Sequence, residues 1–195
     1  MKKNNFIAAT IGLADFQRKN LFRVEMGTWN NAVEYYVLSA TTPQETTSQL
    51  KFDWMASDYK LAGKTNYNDW TVTVRDSQGK GVDNSDGSTV PGGFIYQFFN
   101  IWRNYVYNRD GLVQLLPGGG EKIHNEAGMG VTGRPTQYKR DIVLELLNSA
   151  GGIAKKFELK GAWPMSIGSA TLDYSGEGLL AFPVTFSYDW FKSIG

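Results

Sequence analysis

The segment LLAFPVTFSYDWF at Leu179–Phe191 restricts the fold of this chain more than any other stretch. Every even position from 180 to 190 carries a large apolar residue, and the odd positions between them carry Ala, Pro, Thr, Ser and Asp. Such alternation is typical of a half-buried β-strand, because successive side chains point to opposite faces. The segment therefore predicts one long closing strand with its even-numbered face toward the core.

Several shorter segments also have strand character. Leu21–Met26 and Glu34–Pro43 flank the turn-like GTWNNA, and the pair predicts a hairpin. The polar stretch 44–68 carries scattered aromatic residues and predicts a long excursion or a protruding hairpin. Trp70–Asp76 is rich in β-branched residues and predicts a strand. DIVLELLNS and KKFELKG alternate in the same way and precede the closing strand.

One segment has helical periodicity instead. Phe94, Phe98, Trp102 and Tyr105 fall at i, i+4, i+8 and i+11, which places them on one face of a helix over Gly93–Asn108. We expect this aromatic stripe to pack on a sheet as core. Many short strands around a single helix predict a mainly β fold, an antiparallel β-sandwich or small barrel with one flanking α-helix.

The length of 195 residues indicates a single domain, 1–195, that can bury a real core. The first residues, MKKNNFIAATIGLADF, are expected to form an ordered arm rather than a cleaved signal peptide. Two segments rich in glycine and polar residues, at about 77–93 and 117–137, are expected to be long loops.

Composition excludes several classes of function. The chain has no cysteine, which removes disulfides, thiol chemistry and Cys-based metal sites. Its formal net charge is +1, so overall electrostatics do not favour strong binding to nucleic acid. We also expect no membrane partner, because no apolar run is long enough to span a bilayer.

The candidate catalytic motifs are weak. Gly128, Gly130 and Gly133 match a dinucleotide-binding spacing, but no buried strand precedes them. His124 is the single histidine and lies in the same glycine-rich segment. Asp83–Gly87 resembles the start of a calcium loop, but its glycine is one position early. We therefore predict no catalytic, cofactor-binding or metal-binding residue and no enzymatic activity. A pair of carboxylates for glycoside chemistry stays open, although no spacing indicates one.

Strand edges are the more informative feature. An open sheet edge pairs with another chain unless it is blunted. Pro183 lies inside the closing strand and cannot donate a ladder hydrogen bond, so it fits a bulge or a place where its missing N–H faces away from a partner. We expect a building block whose edges meet other copies.

The segment Lys160–Phe191 resembles the C-terminal signature of tail tube proteins from contractile-tailed bacteriophages. The matching elements are Trp163-Pro164, Leu172-Asp173-Tyr174 and the strand Phe182–Asp189. Upstream, FRVEM, YKLAGKTNYNDWTVTVRD, FFNIWRNYVYN and DIVLELLNSAGGIAKKFELKGAWP resemble the first strand, the central hairpin and strand, the helix and a strand pair of that family. The two long loops look like additions to a minimal tube protein.

This resemblance implies a fold shared with the tube protein of type VI secretion systems. It implies rings of six copies that stack into a hollow tube, through which the viral genome passes. The implied partners are sister copies, the tail sheath, baseplate and tail terminator proteins, the tape-measure protein and, transiently, DNA. The implied location is the virion tail, assembled in the host cytoplasm.

Candidate contact residues follow from that assembly. We predict inter-subunit contacts through the N-terminal arm and the segment Thr46–Tyr59; the alternative is that both cover the core of their own subunit. The candidates are Phe6, Ile7, Phe16, Leu50, Phe52, Trp54, Met55 and Tyr59. Thr185, Ser187 and Asp189 are candidates for the lumen or the outer wall. A lumen that passes DNA should be neutral or acidic, since Lys and Arg would grip phosphates.

Three alternatives stay open. A secretion-system tube or a phage-like bacteriocin tube has the same structural class. A ligand-binding or carbohydrate-binding β-sandwich is compatible with 6 tryptophans. The third alternative is an enzyme with an unrecognised site. Genome context and DNA inside the particle separate the first from a virion tube, and imaging of the purified protein separates the second.

Overall fold

A computed structural model describes residues 18–26, 33, 36–54, 57–77, 94–107, 133–174 and 178–195. The predicted N-terminal arm, with Phe6, Ile7 and Phe16, lies outside these residues, as do Met55 and the side chain of Trp54. Most of both predicted loops lies outside them too. The second predicted loop ends earlier than expected, because residues 135–137 belong to a short helix that spans Pro135–Tyr138.

The described chain is mainly β, as the sequence predicts. Its elements are β1 Phe22–Glu25, β2 Val37–Ala40, β3 Glu45–Trp54, β4 Ser57–Tyr67, β5 Trp70–Arg75, α1 Phe94–Val106, α2 Pro135–Tyr138, β6 Arg140–Leu147, β7 Ile153–Ile167, β8 Ala181–Ser187 and β9 Trp190–Ile194. All strand pairs among these elements are antiparallel.

Seven strands form one sheet in the order β1-β6-β7-β8-β5-β2, with β9 also paired to β7. Strand β7 is 15 residues long and belongs to both halves of this sheet. Its first part pairs with β6 and β9, and Trp163–Ile167 pairs with β8. We call β1-β6-β7-β9 the first half-sheet and β7-β8-β5-β2 the second. The hairpin β3–β4 forms a separate two-stranded sheet.

Gly161 marks the passage of β7 from one half-sheet to the other. Its φ of 65° lies in the left-handed region that glycine adopts at little cost. The β6–β7 register shifts at the same place, which is the signature of a bulge. The buried residues of β7 are Phe157 and Leu159 before it and Ala162 and Pro164 after it. The bulge therefore changes the buried positions of the strand from odd-numbered to even-numbered residues.

The helix α1 covers the inner face of the second half-sheet. Its predicted stripe is confirmed for Phe98, Trp102 and Tyr105, which are all buried. The Trp102 ring lies 5.6 Å from that of Phe186 in β8, and the Trp102 indole N–H donates to the carbonyl of Tyr138 over 2.7 Å. Aromatic packing therefore fixes α1 on the sheet, and the indole hydrogen bond joins α1 to the end of α2.

The predicted hairpin between the first two strands is wrong. Strand β1 pairs with β6, and β2 pairs with β5. Each of these strands has only four residues, and each contributes an edge to a different half-sheet. Alternation in a short segment predicts which face of the strand is buried, but it does not predict which strand will pair with it.

The predicted single closing strand is also wrong, because the structure divides it into β8 and β9. Both run along the same edge of β7, and the chain must follow the bend of β7 at Gly161. The break falls at Asp189, whose N–H donates to the carbonyl of Lys160. Phe182, Val184, Phe186 and Tyr188 form the buried face as expected, but Leu180 and Trp190 are 40% and 45% exposed.

Pro183 occupies a position that suits a residue without an N–H. Its carbonyl accepts a 2.7 Å hydrogen bond from the N–H of Gly168, immediately after β7 ends. The nitrogen and carbonyl of one residue in an antiparallel strand face the same side. The missing donor of Pro183 therefore faces the end of β7, where the ladder stops.

Candidate assembly surfaces

The hairpin β3–β4 presents an apolar stripe to solvent. Leu50 lies opposite Leu61 and Phe52 opposite Tyr59, so their side chains share one face. The rings of Phe52 and Tyr59 are 5.7 Å apart. These four residues, which we call the hairpin stripe, are 58%, 48%, 46% and 58% exposed in the order named. An apolar cluster this exposed is typical of a surface that meets another molecule.

The opposite face of the hairpin carries charge. Lys51 lies opposite Lys60, and Asp53 lies opposite Asp58. Like charges directly across a strand pair are destabilising. A two-stranded hairpin with both faces in solvent is at best marginally stable alone. Docking on another surface would therefore stabilise the hairpin.

The base of the hairpin is anchored to the body of the protein. The Tyr67 ring lies 6.1 Å from that of Tyr188 and 5.8 Å from that of Phe191. The Tyr188 hydroxyl donates to the carbonyl of Gln44 over 3.3 Å, and burial raises the pKa of Tyr188. These contacts attach the base of the hairpin to Tyr188 and Phe191, on either side of the break between β8 and β9.

The structure brings together part of the predicted contact set. Leu50, Phe52 and Tyr59 meet in the hairpin stripe. Leu61 was missing from the prediction, although its position two residues after Tyr59 on the same strand was a usable signal. The described parts of the molecule leave the stripe exposed, and the contact role of these residues stays a prediction.

Within the seven-stranded sheet, three strands also leave an edge open among the described residues. Strands β1, β2 and β9 have four, four and five residues, and each pairs with one described strand. Short edge strands limit indiscriminate pairing while still offering backbone groups to a matching neighbour. The edges and the hairpin are the two sets of contact surfaces that this fold provides.

The outer face of the second half-sheet carries a row of hydroxyl groups, and Arg75 and Pro183 lie on the same face. Thr71 and Thr185 lie opposite each other with their Oγ1 atoms 3.4 Å apart, and Thr73 and Ser187 extend the same row. We call these four residues the hydroxyl face. Asp189 lies beyond the end of β8 and forms a 2.6 Å ion pair with Lys139.

The outer face of the first half-sheet is charged instead. Lys160 Nζ contacts carboxylate oxygens of Asp141 at 2.8 Å and Glu158 at 3.5 Å, and Lys156 Nζ lies 3.2 Å from Glu158. On the same face, Glu145 is buried and pairs with Arg23 at 2.6 Å. The two half-sheets therefore offer chemically distinct outer walls.

These contacts shift the pKa values of the groups involved. The hydrogen bond from Lys156 holds the pKa of Glu158 below its ordinary value, and the hydrogen bond to Asp141 raises the pKa of Lys160. For Asp141, partial burial pushes the pKa upward. The hydrogen bonds from Lys160 and the Gly161 N–H outweigh it, so the pKa of Asp141 is lowered.

Within the described ranges, no group of three or more His, Cys, Asp or Glu residues is arranged to hold a metal ion. In the same part of the chain, no helix has the length and hydrophobicity required to cross a membrane.

Comparison with known sequences identifies relatives in one family. A family model described as phage tail tube protein matches residues 8–193. The chain is 25% identical over 180 residues to the tail tube protein gp19 of Enterobacteria phage T4, which covers 91% of this chain and 92% of that protein. It is 37% identical over 78 residues to the tail tube protein of Serratia phage KSP90, which covers 40% and 41% of the two chains.

Solved structures share the fold. The sheath/tube terminator of an extracellular contractile injection system, PVC, superposes with a TM-score of 0.58 at 14% identity, covering 94% of this chain and 99% of that one. The tube-terminating cap of the anti-feeding prophage gives 0.56 at 16% identity, covering 92% and 91%. At these identities the likeness is one of fold.

Proposed function

Because this chain belongs to the phage tail tube protein family, we propose that it builds the inner tube of a contractile phage tail. Six copies form a ring, the rings stack, and the genome leaves through the hollow tube. The family match over residues 8–193 and the likeness to gp19 over 91% of the chain support this function.

The observation that carries the proposal is the hairpin stripe. Leu50, Phe52, Tyr59 and Leu61 expose an apolar face on an element that lies outside the seven-stranded sheet. Such a hairpin is stabilised when it docks on a sister molecule and buries that face. A contact between two different patches repeats from copy to copy, which closes into rings or extends along an axis.

We assign the hydroxyl face to the channel wall. The Thr and Ser side chains of this face are uncharged, and Arg75, opposite Ala181, is the fixed positive charge of β5 on the same face. A wall rich in Lys or Arg would instead exchange counterions with phosphates and hold the DNA. The charged outer face of the first half-sheet, with Lys156, Glu158 and Lys160, is less suited to that task. Asp189 lies at the junction between the two walls, beside Lys139.

We also propose the partners of this tube. A tube in a contractile tail meets the sheath, baseplate, terminator and tape-measure proteins, and it holds DNA transiently. Assembly takes place in the host cytoplasm, and the finished protein is part of the virion. A tube of an injection system is the alternative with the same fold, and particles purified with packaged DNA would distinguish a virion tail from it.

Electron microscopy of the purified full chain tests the proposed function. We expect rings or tubes for the unmodified protein. The double variant Phe52→Ala/Tyr59→Ala should stay folded by circular dichroism but fail to assemble, and Trp54→Ala should behave in the same way. Lys64→Ala, an exposed change on the same hairpin, is the control that should still form tubes. A chain that stays monomeric at high concentration would overturn the proposal.

A further inference from the structure

A cavity opens at the side of the seven-stranded sheet where its two end strands face each other. Its volume is about 270 Å³. Apolar side chains from β1, β2 and β6 line it: Phe22, Ala40, Leu144 and Leu146. Cavities that bind small molecules usually measure about 300–1,000 Å³, so this one is better matched to one or two protein side chains.

The rim of the cavity is basic. Arg18 and Lys19 line it next to the apolar floor, and both are exposed. Thr42, just after β2, is also exposed and completes the rim. A fitting occupant therefore has an apolar or aromatic side chain next to an acidic one.

The connection between β7 and β8 carries that combination. Leu172 is 82% exposed, Tyr174 is fully exposed, and Asp173 stands between them. Leu179, later in the same connection, is 68% exposed. The connection therefore offers exposed apolar side chains that an apolar cavity can bury.

The cavity and the connection lie at different places in the topology. Strands β7 and β8 are neighbours in the middle of the sheet order, whereas β1 and β2 are its two ends. A contact between the connection of one copy and the cavity of the next would join two unlike patches. Contacts of this kind generate rings or filaments, as a tube requires.

We infer that Leu172-Asp173-Tyr174 of one copy inserts into the cavity lined by Phe22, Ala40 and Leu146 of a neighbouring copy. The apolar side chains fill the floor, and Asp173 approaches the basic rim at Arg18 and Lys19. This inference rests on the proposed tube assembly and specifies one contact within it. It is separate from the hairpin stripe, which uses other residues.

Disulfide trapping tests the contact, and the chain suits the method because it has no cysteine. The double variant Thr42→Cys/Tyr174→Cys is assembled and then oxidised mildly. Both positions are exposed, so the changes are compatible with folding. We expect dimers and larger disulfide-linked species on a non-reducing gel. Each single variant, and the pair Tyr174→Cys/Ser193→Cys with its second cysteine exposed on β9, should give none.

The outcomes separate the inference from the proposed function. Tubes that form without cross-links in Thr42→Cys/Tyr174→Cys overturn the inference and leave the tube assignment intact. A cross-link within one chain, or a cavity cysteine that is protected from thiol reagents in the monomer, also overturns it, because the chain's own residues then fill the cavity. Absence of any assembly by the unmodified protein overturns the proposed function itself.

A charge exchange gives an independent measurement. Lys19→Glu should raise the concentration needed for assembly about two- to fivefold, as expected for the loss of one exposed ion pair. Lys19→Glu combined with Asp173→Lys should recover part of that loss. Lys64→Glu, on the hairpin, makes the same charge change away from the cavity. Equal effects of Lys19→Glu and Lys64→Glu would contradict the inference.

Discussion

Lys160 Nζ lies 2.8 Å from Asp141 Oδ2 across the β6–β7 pair, one residue before the bulge at Gly161. Asp141 also accepts a hydrogen bond from the Gly161 N–H through its other oxygen, at 3.2 Å. One carboxylate therefore holds both the neighbouring side chain and the backbone of the bend. This arrangement makes the junction between the half-sheets sensitive to protonation.

Acid should destabilise the folded monomer through this junction. Asp141 and Glu158 have pKa values below their ordinary 3.8 and 4.5 in the folded chain. A carboxylate with a lowered folded pKa contributes stability above its unfolded pKa and loses it as the pH falls. Denaturant unfolding should show a declining free energy below about pH 4.5. The double variant Asp141→Asn/Glu158→Gln should show a weaker decline, and an unchanged acid dependence would contradict this account.

High pH should destabilise the folded monomer through Lys160, the partner of Asp141. The pKa of Lys160 is raised above its ordinary 10.5 by Asp141. Its contribution is therefore present below that value and is lost as the pH rises through the higher folded pKa. Unfolding experiments from pH 9 to 12 should show the loss, and Lys160→Gln should reduce it. Ser193→Ala, an exposed and uncharged change on the adjacent strand β9, is the control and should leave the alkaline profile as it is.

Replacing the bend glycine should be costly. Gly161→Ala places a side chain at a φ of 65°, which costs about 1–2 kcal/mol, and its Cβ would meet the carboxylate of Asp189. Gly178→Ala is the matched control, since a Cβ there has no neighbour within 4 Å. We expect the free energy of unfolding to fall by at least about 1 kcal/mol for Gly161→Ala alone. Equal stability of the two variants would show that the bend tolerates a side chain.

The aromatic core under α1 should dominate stability. Phe186 contacts Trp70, Phe99 and Trp102 with ring centroids 5.6–6.0 Å apart. Phe186→Ala should lower the free energy of unfolding by about 3–5 kcal/mol, because it removes a buried ring and leaves a cavity. Ser187→Ala, one position along β8 on the outer face, should change it by less than about 0.5 kcal/mol. Thermal unfolding of both variants measures the difference.

The channel assignment predicts a change in DNA retention. Thr185→Lys adds a positive charge to the hydroxyl face, and in a tube it would repeat once per copy. Tubes of this variant should bind short double-stranded DNA with an affinity that falls steeply with salt. Thr65→Lys, exposed on the hairpin outside the predicted contact segment, should bind no more DNA than the unmodified tubes. Equal DNA binding by both variants would contradict the assignment of the hydroxyl face to the channel wall.

Local patterns predicted which residues are buried better than they predicted which strands pair. The stripe of Phe98, Trp102 and Tyr105 and the buried face from Phe182 to Tyr188 follow directly from periodicity. The partners of β1 and β2 depend on contacts between segments more than 30 residues apart, as in Phe22 opposite Leu146 and Val37 opposite Val74. No single-segment pattern encodes those contacts.

The candidate contact residues divide in a similar way. Leu50, Phe52 and Tyr59 were recognisable because apolar residues in a polar frame stand out in sequence. The cavity beside Phe22 was not recognisable, because its wall comes from three strands that are distant along the chain. The break at Asp189 also depended on the bend of a neighbouring strand, which its own residues do not specify.

The course of β7 through both half-sheets has a mechanical consequence. A pull that separated the two halves would have to stretch a continuous polypeptide, since β7 carries hydrogen-bonded partners on either side of Gly161. A continuous covalent chain resists tension far better than a noncovalent interface between two packed layers. The two half-sheets of each subunit are therefore joined covalently through β7, which resists their separation under tension.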